Sequence, residues 1–245
     1  MKTSLNLAAL FICGLLATNS FGQGSEKWTE NYDRLLKKYV TSSGVKYADW
    51  KKNAEDMKEI DGVVEAIGAA KVDSLGKKEQ LAFYINAYNA WILHQALAKY
   101  PTSSVKDLFF TFFTAKHIKV AGQQMSFKGL EDDVIRAKFS DPHVHFALNC
   151  ASRSCPPLQP AAFVGAQLDA QTEALAKAFI NSERGVIYKQ GEKSAQLSKI
   201  FDWYKGDFAK EGGALDFINK RREIPIPKDA KISYQSYNWS LNEAK

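Results

Sequence analysis

Apolar residues recur at helical spacing through the first half of the chain and at shorter intervals through the second. From Glu26 to Val40, Trp28, Tyr32, Leu35, Leu36 and Tyr39 fall three and four residues apart, which predicts a helix with one buried face, ended by the Ser42-Ser43-Gly44 turn. The same period predicts a helix over Ala48–Ala69. Ser74, with Glu79 downstream, opens a long helix that must stop by Tyr100 because Pro101 follows. HIKV and QMSF read as a hairpin turning through Ala121-Gly122, and Gly129–Lys138 as helix. VHFAL, starting at Val144, reads as a short strand, and Ala161–Ser182 as a long helix behind the proline-rich CPPLQP. Gly185–Leu197 reads as a second hairpin with Gln190-Gly191 at its turn, followed by helical segments over Ile200–Phe208 and Ala214–Arg221. The tail ISYQSYNWSL alternates twice, with a phase shift that predicts a bulge. No repeat or linker divides these elements, so the expectation is a single α+β domain: a helical N-terminal half packed on a small antiparallel sheet.

The N-terminus changes the domain boundaries. One lysine precedes an apolar run from Leu5 to Ala17 that is too short to span a bilayer, and Ser20 and Gly22 supply the small side chains a signal peptidase inspects. Residues 1–22 are therefore expected to be a signal peptide, with residues 23–245 as the mature domain, secreted or periplasmic and without a transmembrane segment. Cys13 falls inside the leader, and the bulky Ile12 before it argues against an acylated cysteine. The hydrophobic fraction of 45% is enough for a sizeable core. A net charge of +6 is interspersed along the chain and forms no Lys/Arg stripe, which argues against nucleic acid as a partner.

Two stretches carry candidate chemistry. LAFYINAYNAWILHQAL is apolar almost all round its helix, as buried helices are, yet it holds Asn86 and Asn89 three residues apart. A buried amide without a partner costs about 1–3 kcal/mol, so the pair must either tie a neighbouring loop to the helix or form the polar wall of a cleft. The second stretch, HVHFALNCASRSCPP, holds two of the four histidines and, once the leader is gone, both remaining cysteines. As a strand, VHFALN would place His145 and Asn149 on one face, with Cys150 just past its end where loops carry reactive groups on rigid supports. Three readings stay open there: a disulfide in an oxidising compartment, a catalytic thiol activated by a nearby imidazole, and a metal site using His143 and His145, although CxxxxC is looser than a zinc knuckle.

FYINAYNAWI, SFKGLEDDVIR, DPHVHFALNCASRSCPPL, IFDWYKGDF and YQSYNWSLN together resemble, in order and spacing, the bacterial family called domain of unknown function 547, over nearly all of the mature chain. The resemblance implies a papain/transglutaminase-like fold and an envelope or secreted location. Carried onto this chain it gives His145 as the site histidine but places an asparagine of the INAYNA helix where the nucleophile would stand, so either the site is degenerate and binds without catalysing, or Cys150, with Cys155 as second choice, supplies the sulfur with His145 as general base. Glu131 would orient the imidazole or a bound cation, Asn86 and Asn89 would hydrogen-bond substrate or oxyanion, and Asn149 would contact substrate. Two positions depart from the family pattern: Asp132 stands where many members have histidine after Ile-Glu, and His143 stands where arginine is common after Asp-Pro. The functional expectation is a thiol-dependent enzyme acting on a peptide or small-thiol substrate, with no cofactor and no metal. The alternative is a non-catalytic ligand- or peptide-binding domain closed by a Cys150–Cys155 disulfide.

Overall fold

A computed structural model describes residues 23–108 and 112–245; the expected leader, with Cys13, lies outside the described residues. The first helix, Gln23–Tyr39, buries Trp28, Tyr32, Leu35, Leu36 and Tyr39, as their spacing requires. The stretch expected as one helix over Ala48–Ala69 is two, Tyr47–Lys52 and Ala54–Ala69. Asn53 divides them, because its extended backbone leaves the first helix while its side chain accepts the N–H of Asp56 and starts the second. Helix Lys77–Lys99 ends before Pro101 and is buried on nearly every side, between the Ala54–Ala69 helix and the π-helical turn Leu130–Arg136.

The β structure corrects the expectation of one small antiparallel sheet. Among the described residues there are two separate two-stranded pieces, Val40–Thr41 with Gly44–Val45 and Ile118–Val120 with Gln123–Met125, and a three-stranded sheet of Val186–Lys189, Ser194–Leu197 and Lys231–Tyr234. The hairpin at residues 118–125 turns where expected, with Ala121 and Gly122 both at positive φ, the turn geometry that matches strand twist. The last strand joins in parallel, so the three-stranded sheet is mixed. Beyond it the tail leaves the sheet altogether. Its second alternation is set by isolated bridges from Ser240 to Ser104, Leu241 to Ser152 and Glu243 to Val45, not by a bulge. The helix expected from Ala161 begins only at Leu168, after a 3-10 turn at Gly165–Gln167.

Among the described residues, apolar side chains gather into two clusters. The larger belongs to the helical half; the other centres on Phe146, Phe179, Phe201, Phe208 and Phe217. Residues 144–148 serve both, with Val144, Ala147 and Leu148 in the first and Phe146 in the second, stacked on Phe217 at 5.7 Å. Truncating a buried Phe of this kind costs about 3–5 kcal/mol, so the segment is held firmly from two sides. Among the described residues no helix is long and apolar enough to cross a membrane.

Candidate active site

The stretch expected as strand VHFAL is a short helix, Val144–Ala147. Its β-branched and aromatic residues suit a strand, but Asp141-Pro142 overrides them. The Asp141 side chain accepts the N–H of His143 at 2.9 Å, Pro142 supplies a φ ready for a first helical turn, and Phe146 N–H then bonds the His143 carbonyl at 3.0 Å. Helical rotation separates the two histidines. His143 is held by Asp141 at 2.6 Å and Glu173 at 3.0 Å, whereas His145 turns to Asp207 at 2.7 Å. Among the described residues no group of three His, Cys, Asp or Glu side chains could hold a metal ion.

The asparagines expected at substrate are spent on backbone. Asn86 donates to the Phe163 carbonyl and accepts the Phe163 N–H, both at 2.9 Å, fixing the loop before the Leu168–Ile180 helix. Asn89 donates to the Ala147 carbonyl at 2.8 Å and accepts the Asn149 N–H at 2.9 Å. Asn149 in turn donates to the Pro156 carbonyl at 2.8 Å and accepts from Ala151 N–H at 2.9 Å and the Asn242 amide at 3.2 Å. The three amides hold the cysteine loop in shape: Asn89 anchors its start, Asn149 ties its two ends, and Asn242 brings the tail across it. Ala151 takes a left-handed φ of 62° inside that loop, a local strain that the surrounding bonds sustain.

Inside this frame the two sulfurs lie 3.0 Å apart and are not bonded, which answers the disulfide expectation. Cys155 is buried, and Cys150 is half-buried. The two sulfurs are in hydrogen-bond contact, the Cys150 N–H points to the Cys155 sulfur at 3.0 Å, and the Cys155 thiol also lies 3.7 Å from the Leu148 carbonyl. Ser152 hydroxyl lies 3.1 Å and Tyr237 hydroxyl 3.5 Å from the Cys150 sulfur. The Ser152 and Tyr237 hydroxyls also lie 3.0 Å from each other. The Cys155 bond, with help from Ser152 and Tyr237 and against burial, lowers the Cys150 thiol to about 7. Burial and the neighbouring Cys150 sulfur push Cys155 well above the ordinary thiol range.

Across the cavity, the Asp207 carboxylate holds Nε2 of buried His145. The His145 bond and the Arg136 fork, at 2.7 and 3.0 Å, keep Asp207 well below the usual carboxylate range. With Nε2 on Asp207, Nδ1 is the ring nitrogen left for its other surroundings. Tyr204 stacks on the ring, with centroids 3.9 Å apart, and its hydroxyl donates to Glu131 at 2.6 Å. Glu131 therefore does not touch the imidazole, as expected of it, but steadies the aromatic ring that lies against it. Asp132 bonds Arg136 at 2.5 Å. It is thus the outer member of a chain running from Asp132 through Arg136 and Asp207 to His145.

His145, Cys150, Cys155 and Glu131 all line one cavity of about 270 Å³, whose remaining wall is mostly aromatic, with Phe113, Trp203, Tyr237 and Trp239. Among the described residues no hydrogen bond joins His145 to either sulfur; the two chemistries face a common space. Asn86 and Asn89 do not line it, while Asn149 lines a second cavity on the far side of the cysteine loop. Asp207 was not anticipated as a site residue, although IFDWYKGDF contains it.

Residues 72–180 match the family model described as Protein of unknown function, DUF547. The matched stretch contains both asparagines of the buried helix, Glu131, His145 and the two cysteines, and supports the family that the motifs resemble. The DUF547 match stops short of Asp207, Tyr204, Tyr237 and Trp239, which complete the cavity from the C-terminal side. No curated protein and no solved structure matches the chain.

Proposed function

We propose that the protein is a thiol-dependent enzyme of papain/transglutaminase-like type, acting on a peptide or small-thiol substrate in the envelope or outside the cell. The observation that carries this reading is the shared cavity, which brings together an acidified Cys150 sulfur and an imidazole anchored on a carboxylate. Cys150 is the nucleophile. Its thiolate attacks a substrate carbonyl and forms a thioester, and the leaving group takes a proton from the His145 imidazolium. Neutral His145 then takes a proton from the incoming water, thiol or amine, which releases the acyl group and restores the starting state. Asp207 keeps Nε2 protonated in both halves and stabilises the imidazolium. Because Cys150 draws its acidity from Cys155, Ser152 and Tyr237, the imidazole is left to serve the substrate. The expected location rests on the N-terminal leader.

The test is acylation of the reduced protein by p-nitrophenyl acetate, read by intact mass and peptide mapping. The reading expects one acetyl group on Cys150, formed in a burst, with subsequent turnover slowed about 10²–10⁴-fold by His145→Ala. Acetylation no faster than in the unfolded chain, or at another residue, would leave a ligand-binding domain as the better account.

A further inference from the structure

The two sulfurs are unequal in a way that nucleophilic catalysis does not use. Both sulfurs border the cavity, but Cys150 is half-buried and Cys155 buried, 3.0 Å away on the same tied loop. Acyl transfer uses one attacking sulfur, and beyond setting the acidity of Cys150 it has no task for a second sulfur within reach of the covalent intermediate. We propose that Cys150 and Cys155 form a dithiol–disulfide exchange centre, in which Cys150 attacks a disulfide flanked by apolar or aromatic groups and Cys155 resolves the product. The inference shares Cys150 with the proposed function but does not depend on His145 or Asp207.

The chemistry balances with no further cofactor. The Cys150 thiolate attacks one sulfur of the substrate disulfide, the substrate S–S bond breaks, and one substrate thiolate leaves while a mixed disulfide remains on Cys150. Cys155 gives up its proton to that leaving thiolate or to solvent and attacks the Cys150 sulfur. The mixed bond breaks, the second substrate thiolate leaves, and a Cys150–Cys155 bond forms. The substrate gains two electrons and the pair loses two; a thiol reductant running the same steps in reverse restores the dithiol. The geometry suits this order. An incoming disulfide meets the more exposed Cys150 across the aromatic wall of Trp203, Tyr237 and Trp239, while the more deeply buried Cys155 stands 3.0 Å from it, placed to attack the mixed disulfide. A low thiol pKa at the attacking sulfur and a high one behind it accord with that division of labour.

The probe is 2,2′-dithiodipyridine, added to reduced protein with thiopyridone release followed optically and the product weighed intact. The wild-type chain should release two thiopyridones per molecule and end two mass units lighter, with no adduct. Cys155→Ser should release one and keep a thiopyridyl group on Cys150. His145→Ala should complete the exchange like wild type, even as it loses acyl turnover, so that the two proposals stand or fall separately. Excess glutathione should return the oxidised protein to its starting mass. A wild-type product carrying thiopyridyl groups on both cysteines, or an oxidised pair that glutathione leaves untouched in the folded protein, would overturn the inference.

Discussion

Replacing Asn89 by leucine tests whether the buried amides are scaffold. The side chain is 1% exposed and satisfies two backbone groups, the Ala147 carbonyl and the Asn149 N–H. Leucine has similar bulk and bonds neither. Each orphaned buried group costs about 1–3 kcal/mol, or about 4 kcal/mol for the two at mid-range. Burying an apolar side chain in place of an amide returns about 2 kcal/mol, which leaves a net loss of about 2 kcal/mol. For a chain of this size that corresponds to a fall in Tm of about 4–8 °C. Urea unfolding followed by tryptophan fluorescence should show a lower midpoint with an unchanged slope. Because Asn149 N–H leads directly into Cys150, the variant should also blunt Cys150 alkylation. Asn86→Leu, which releases the Phe163 loop instead, should lose similar stability and leave Cys150 unaffected. Unchanged or raised stability in both variants would refute the reasoning.

Three further outcomes follow from the same contacts. Asp207→Asn removes the carboxylate that Arg136 and His145 share, so acyl turnover should fall about 10²–10⁴-fold while Cys150 alkylation persists, as stopped-flow and mass measurements on one preparation would show. Burial works to raise Asp56, but bonds from Lys38, Tyr39 and Arg34 outweigh it and lower its pKa to about 2. Its stabilising contribution, on the order of 1–2 kcal/mol, should be complete above about pH 4 and fade as the pH falls towards 2, and Asp56→Asn should flatten that part of the urea-midpoint profile. Deleting Asn238–Lys245 removes buried Leu241 and strips Tyr47 and Asn149 of their Asn242 partner, so the truncated chain should melt well below the full one in calorimetry.

Periodicity alone placed the first helix and its buried face, because Trp28, Tyr32, Leu35, Leu36 and Tyr39 must share one side of a helix. The His145 segment was harder to read. Val, Phe and Leu favour a strand locally, and the Asp141-Pro142 cap that makes it a helix is a two-residue signal outside the run. The cysteines were identifiable by type and clustering, but their separation is a property of how the loop folds back. Asp207 is 62 positions from His145, and nothing in an isolated aspartate announces a partner at that distance. The same holds for Asp132, which looks like a lost histidine in the sequence and stands in the structure as the anchor of Arg136. Asn86 and Asn89 were ambiguous because a buried amide has the same composition whether it bonds backbone or substrate.

The pH dependence of Cys150 alkylation bears most directly on the claim that this cavity holds a thiolate at neutral pH. Reduced protein is treated with iodoacetamide across a pH series, and labelling at Cys150 and Cys155 is counted separately by mass spectrometry. The account predicts a Cys150 midpoint near 7. Cys155→Ala and, to a lesser degree, Tyr237→Phe should move it upward, and His145→Ala should leave it in place, since no hydrogen bond joins that imidazole to sulfur. A Cys150 midpoint at the ordinary thiol value of about 8.5, indifferent to Cys155 and Tyr237, would contradict it.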